Sequence, residues 1–267
     1  CPIFSLLGDI KTTPKIAYAS VLFGKTPQET FEIGKSIKEK NFKAIKFGWQ
    51  NFGKNIKLDE QHITAARESI GDELHLMIDV GAVWGTNVEE AEKRNNLFKN
   101  SKITWLEEPF YSDAFFEYSE LFKKTNLPLA GGESCHSIES AKNMIRFGKV
   151  KFIQIDAGIA GGIIAGKEIC DFAEKSEVQY VNHTFTSHLQ LSASLQPYAN
   201  SSKSFFAEFP QQLKPLAWDL TDNHINLNEN GNINLPEEIG HGMQINPKAL
   251  EQYKVDVDIY INKEKFF

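Results

Sequence analysis

Cysteine is scarce in this chain, with three among 267 residues: Cys1, Cys135 and Cys170. They are widely spaced and odd in number, which fits neither a disulfide framework nor a zinc ribbon and points to a reducing cytoplasm. Long apolar runs are also missing, so no membrane span is expected. The opening Cys1-Pro2-Ile3-Phe4-Ser5-Leu6-Leu7-Gly8 lacks the basic start and long apolar core of a signal peptide. Basic clusters are absent too. The net charge is −6 and the basic residues are scattered, which argues against a nucleic-acid partner. No initiator methionine is present, so the chain is expected to be part of a longer reading frame. What remains is the ordinary apolar and charged content of a globular protein, enough for one large domain or two small ones.

Hydrophobic patterning places strands at 16–20, 42–48, 76–79, 104–106, 127–131, 151–156, 178–181 and 205–208. Helices are expected over 27–40, 58–70, 88–99, 113–124, 137–147, 163–175 and 188–197. The first has Thr26 as N-cap, Pro27 at its first position and Glu29 in its first turn. Residues 209–267 are polar and turn-rich, with a strand-like end at Val255-Asp256-Val257-Asp258-Ile259-Tyr260. Eight strands alternating with helices suit either a doubly wound open sheet or an α/β TIM-type (β/α)8 barrel. Polar residues end nearly every strand: Lys46, Asp79, Glu107, Glu133, Asp156, His183 and Glu208. An open sheet gathers ligand groups at one or two crevices, whereas a closed ring brings all strand ends to one mouth. The barrel is therefore expected, as a catalytic unit over 1–209 with a C-terminal return segment over 210–267.

The stretch Thr104-Trp105-Leu106-Glu107-Glu108-Pro109 organises the chemistry. A buried strand runs directly into two carboxylates, and a proline then forbids further pairing. One Glu-Glu-Pro alone reads as a strand end meeting solvent, but Asp79 and Glu133 end neighbouring strands in the same way. Buried carboxylates need compensation, and three of them with no His or Cys favour Mg2+ over Zn2+. Asp156 and His183 end adjacent strands, an arrangement that orients an imidazole and makes it a general base near neutral pH. Lys46 shares a strand face with Ala44 and Gly48 and can bind a substrate carboxylate. Glu208 can hydrogen-bond an oxygen taking on enolate character if it is protonated. Trp49 in the aromatic loop 49–53, His136 and the helix-start His188 are weaker substrate-binding candidates. Cys135 reads as a packing residue, because no base for it is evident. Gly161-Gly162 suits phosphate binding at a helix start and tight packing equally well.

Lys46, Asp79, Trp105-Leu106-Glu107-Glu108-Pro109, Gly132-Glu133, Gln154-Ile155-Asp156 with Ala160-Gly161-Gly162, His183 and Glu208 together resemble the mandelate racemase subgroup of the enolase superfamily. The resemblance covers essentially the whole chain. It implies a modified (β/α)7β barrel that binds a carboxylate substrate on Mg2+ and removes its α-proton. It further implies Asp79, Glu107 and Glu133 as metal ligands, His183 with Asp156 as base, and Glu208 as enolate partner. Three departures stand out. A second strand lysine, used in relatives as a base on the other face, is Gly48 here, and an Asn or His two residues after Asp79 is Gly81. The N-terminal capping domain of relatives is expected to be absent from this chain. These features point to an acid-sugar dehydratase acting on a small sugar acid, cytoplasmic and homo-oligomeric, without nucleic-acid or membrane partners. A racemase, epimerase or cycloisomerase is the alternative within the superfamily, and a binding-only barrel is the alternative outside it.

Overall fold

The computed structural model describes residues 1–211, 213–255, 260–262 and 264–265. Its centre is eight parallel strands: β1 (Lys15–Leu22), β2 (Ala44–Gly48), β3 (His75–Asp79), β4 (Ile103–Glu107), β5 (Leu129–Gly131), β6 (Phe152–Ile155), β7 (Gln179–Asn182) and β8 (Phe206–Pro210). They lie in the order β7-β6-β5-β4-β3-β2-β1-β8, with β1 paired to both β2 and β8. Strand order follows chain order around the ring and shows no switch point, so the architecture is the expected barrel and not a doubly wound sheet. A side chain bridges the seam between β7 and β8. The Asn182 amide accepts the Glu208 N–H at 2.9 Å and donates to the Glu208 carbonyl at 3.4 Å, standing in for a backbone rung.

Alternation along the strands builds two apolar layers. Ile45, Phe47, Leu76, Ile78, Leu106, Ile153 and Ile155 point outward and pack beneath the helices. Tyr18, Ala44, Met77, Trp105, Ala130, Phe152, Val181 and Phe206 point inward and form a separate cluster. Trp105 is its hub, with ring centroids 5.4 Å from Tyr18, 4.7 Å from Phe152 and 5.5 Å from Phe206. Burying each such ring stabilises the fold by roughly 1.5–3 kcal/mol. The same registers set the next layer up: Ser20 lies beside Lys46, Gly48 beside Asp79, and Asp79 beside Glu107.

Helix Pro27–Glu39 begins as expected, with the Thr26 hydroxyl accepting the Glu29 N–H. The helix expected over 88–99 is broken into Val88–Glu92 and Asn95–Asn100. At the break Arg94 turns inward, where it pairs with Asp59 at 2.7 Å and donates to the Glu90 carbonyl. The helix beginning at His188 ends at Leu195 and passes into a 3-10 turn, Gln196–Tyr198, because Pro197 has no N–H to continue the ladder. Helix Ile163–Lys175 follows Gly161 and Gly162 at φ +112° and +97°. Their backbone conformation alone requires glycine.

The return segment contains helix Pro215–Asp219, strand β9 (Asn232–Ile233) antiparallel to β1, and helix Pro247–Tyr253. Of the strand-like end expected at 255–260, Asp256–Ile259 lie outside the described residues. Strands β10 (Tyr260–Ile261) and β11 (Glu264–Lys265) form a short antiparallel pair. No helix among the described residues is long and apolar enough to cross a membrane.

Candidate active site

At the C-terminal ends of the strands, Lys46, Asp79, Glu133, His183 and Glu208 line one cavity of about 360 Å3, together with Ser20, Val21, Leu22, Gly48, Trp49 and Phe185. Glu107 is wholly buried, and Asp156 stands behind His183. A larger groove of about 580 Å3 between the helices that follow β1 and β2 contains none of these groups.

Lys46 organises the acids. Its ammonium pairs with Glu107, with Glu208 at 2.9 Å and, more distantly, with Asp79 at 3.9 Å. Burial alone would lower its pKa, but Glu107 and Glu208 raise it well above the ordinary lysine range. The second Glu107 oxygen accepts the Trp105 indole N–H at 2.8 Å. Lys46 is thus engaged with acids here, where the sequence suggested a free contact for substrate. Burial would raise Glu208, yet Lys46 and His183 hold it below the usual range, so it is ionised in this state and not protonated as an enolate partner would need to be.

The remaining carboxylates carry the uncompensated charge. Burial, reinforced by Glu107 and Glu133, lifts Asp79 to about 8. Burial also raises Glu133, with Glu107 and Glu208 adding to it against His183 and Lys46. Among the described residues, no three His, Cys, Asp or Glu side chains converge as a closed metal cluster. The donor chemistry nevertheless fits a hard cation: oxygen-only groups, Asp79 and Glu107 buried and Glu133 half-buried, whose mutual repulsion a positive ion would relieve.

His183 forms the other half of the site. Its Nδ1 meets Asp156 Oδ2 at 3.0 Å, and its Nε2 lies 3.4 Å from Glu133 Oε2. Burial would lower the ring's pKa, but Glu208, the Asp156 hydrogen bond and Glu133 raise it to about 9. The resting imidazole is therefore protonated at neutral pH, where the sequence suggested a free base. Burial would raise Asp156, and the hydrogen bond and charge of His183 hold it low, aided by the Gly158 and Ile159 amides.

The weaker candidates separate. Trp49 lines the cavity and donates to Asp79 Oδ2 at 2.9 Å. His136 is exposed and does not line it. His188 is buried away from it against Trp218 and His224 of the return segment, and its Nδ1 accepts the Ile225 N–H. Burial and then His224 lower His188 to about 4, as suits a neutral packing residue. Cys135 is buried and its thiol pushed up by burial, which keeps it protonated.

Two polar neighbours escaped the sequence reading. Glu108 is buried and raised to about 8 by burial and by Glu133. Strand alternation would turn it away from Glu107, but its φ of +43° breaks that alternation. The only sequence signal was the doubled acid before Pro109. Gln190, on the helix after β7, places its amide nitrogen 3.1 and 3.0 Å from the two Asp156 oxygens. No motif marks it.

Residues 32–249 match the enolase C-terminal domain-like family. Among curated relatives, D-galactarolactone cycloisomerase from Agrobacterium fabrum is 28% identical over 76% of this chain and 55% of its own length. L-talarate/galactarate dehydratase from Salmonella typhimurium is 29% identical over 64% of this chain and 42% of its own length. The chain thus spans about half the length of these relatives. A crystal structure of a predicted mandelate racemase from Rhodobacter sphaeroides superposes with a TM-score of 0.95 at 39% identity, over 100% of this chain and 69% of that one. With the barrel, the strand-end residues and these likenesses together, the chain belongs to the enolase C-terminal domain-like family.

Proposed function

We propose that this barrel removes the proton α to the carboxylate of a sugar acid and, with loss of the β-hydroxyl, yields a 2-keto-3-deoxy acid. The observation that carries the reading is a one-sided base: His183, oriented by Asp156 at 3.0 Å, faces the cavity, while Gly48 offers no side chain where a second base would stand. Racemisation needs a proton acceptor on one face and a donor on the other. Elimination needs only one group, which first takes the α-proton and then returns it.

Asp79, Glu107 and Glu133 would hold Mg2+, in keeping with their oxygen-only donors and with the burial, reinforced by neighbouring acids, that raises Asp79 and Glu133. When bound, the ion supplies positive charge against a carboxylate that takes on enolate character. In its neutral form, with the Nδ1 hydrogen given to Asp156, His183 keeps a lone pair at Nε2. His183 can then accept the α-proton at Nε2 while Nδ1 stays tied to Asp156. It returns that proton to the departing hydroxyl, so that water leaves and the resulting enol becomes the keto acid. Lys46, released from Glu107, balances the substrate carboxylate. Glu208, whose ionised form Lys46, His183 and the Thr184 N–H favour in the resting site, would have to take up a proton to donate to the enolate oxygen.

The similarity to a cycloisomerase supports a second reading, in which the same proton is removed and an oxygen within the substrate leaves in place of the hydroxyl. Incubating a panel of sugar acids and their cyclic forms with the protein and Mg2+ decides between them. Ion-dependent appearance of a 2-keto acid with loss of water supports dehydration. An isomer formed without loss of water supports the second reading. Binding with neither product contradicts both.

A further inference from the structure

Trp49 directly follows β2 at φ +62°, a left-handed conformation that bulky residues rarely adopt, and Gln50 follows at +60°. This turn lays the indole over Gly81: a Cβ built on Gly81 would stand 3.2–3.4 Å from three of its ring atoms. From there Nε1 donates to Asp79 Oδ2 at 2.9 Å, while the Gly81 amide donates to Oδ1 at 2.9 Å. Each Asp79 oxygen therefore has one donor and keeps lone-pair capacity for another partner.

The far end of the loop is tied down by buried groups. The Gly53 N–H donates to Asp59 Oδ1 at 2.9 Å, and its carbonyl accepts Trp84 Nε1 at 2.8 Å and Arg94 Nη2 at 3.0 Å. Arg94 and Asp59 close the arrangement as a buried ion pair at 2.7 Å, with the guanidinium 5.1 Å over the Trp84 ring. The inward turn of Arg94 at the helix break thus fixes the loop that presents Trp49.

We infer that Trp49 is a positioning residue for Asp79, fixing its carboxylate toward the cavity, and that the Asp59–Arg94 pair holds the loop in the conformation this requires. The inference rests on the reading of Asp79 as a metal ligand and assigns its orientation to an indole N–H. A carboxylate crowded by Glu107 and Glu133 has reason to turn away from them, and the two donors oppose that. Removing an outer hydrogen bond to a ligand typically costs 10–100-fold in metal affinity.

The probe is Mn2+, titrated into the whole protein and followed by loss of the free-ion electron paramagnetic resonance signal. Trp49→Phe keeps an aromatic ring and removes the N–H; it is expected to weaken binding about 10–100-fold with little change in thermal unfolding of the ion-free protein. Trp49→Ala should weaken it at least as much. Adding Gly81→Asn to Trp49→Ala should recover most of the loss, because Asn tolerates the +54° φ of Gly81 and brings an amide N–H into the vacated space. Gly81→Asn with the indole still present should weaken binding by crowding. A general role in loop stability would not be reversed by a donor at position 81. Equal affinity in the wild type and Trp49→Phe would overturn the inference alone, as would failure of the double variant to recover. Absence of Mn2+ binding by the wild type would overturn the metal reading of the mouth, and the inference with it.

Discussion

Inside the barrel, Tyr18, Trp105, Phe152 and Phe206 fill the floor with ring against ring, whereas the same strands two residues on carry Ser20, Glu107, Gln154 and Glu208. A period of two places both sets on the inner face, one layer above the other. The floor gains free energy from burial, and its aromatic contacts add to it. The mouth does the reverse. Asp79, Glu107, Glu133 and Glu208 crowd around Lys46 and His183, with Glu108 buried close by under the Gly132 N–H, and the upward shifts of Asp79, Glu108 and Glu133 record the cost of burying acids beside one another. The difference shows where stability is made and where it is spent: the rings hold the strands in register tightly enough for the next layer to keep like charges side by side.

The largest expected effect lies in the floor. Phe206→Ala should destabilise the protein by about 3–5 kcal/mol in urea unfolding, since it empties part of a packed ring cluster. A cost no greater than that of a surface substitution would break the comparison. At the mouth the sign should invert. Asp79→Asn removes a buried acid whose ionisation the fold disfavours and should stabilise the ion-free protein by roughly 1–2 kcal/mol while abolishing stabilisation by added Mg2+. Lower stability in that variant would mean that the mouth is not under charge strain.

The pH dependence sharpens the contrast further, with a smaller effect. Asp79 and Glu108 rise from ordinary values of 3.8 and 4.5 to about 8, and His183 rises from 6.5 to about 9. Groups with raised folded pKa values hold protons that the unfolded chain has already released, so stability falls as pH rises. In the ion-free protein the fall should be steepest between about pH 6.5 and 8, where all three contribute. Asp79→Asn should flatten that slope, whereas Phe206→Ala should lower the whole curve without changing it. Parallel curves for the wild type and Asp79→Asn would contradict this assignment.

The barrel was legible because its signals are local and repeated: the strands are short, β-rich and nearly all followed by a polar residue, and several helices carry their own start signal, as at Thr26 and Pro27. The grouping of Lys46, Asp79, Glu133, His183 and Glu208 followed once strand ends were taken as one ring. Charge states were not legible. Whether His183 is a free base or Glu208 a protonated acid depends on distances to Lys46, Glu133 and Asp156 that no local pattern encodes. Glu108 was hidden by a left-handed residue that defeats strand alternation, and His188 misled because a helix start near the mouth looks the same whether its ring faces the cavity or the return segment. The inward turn of Arg94 was hidden for the same reason, since its partner Asp59 lies 35 residues away in sequence.

The central claim is that the mouth abstracts an α-proton through His183, and solvent deuterium exchange tests it most directly. An accepted sugar acid is incubated in D2O with Mg2+ and either wild-type protein or His183→Asn, and loss of the α-proton signal is followed together with keto-acid formation. The wild type should remove the α-proton only when Mg2+ is present, and His183→Asn should do so about 10²–10⁴-fold more slowly while still binding the ion. Removal of the α-proton by His183→Asn at the wild-type rate would contradict the account.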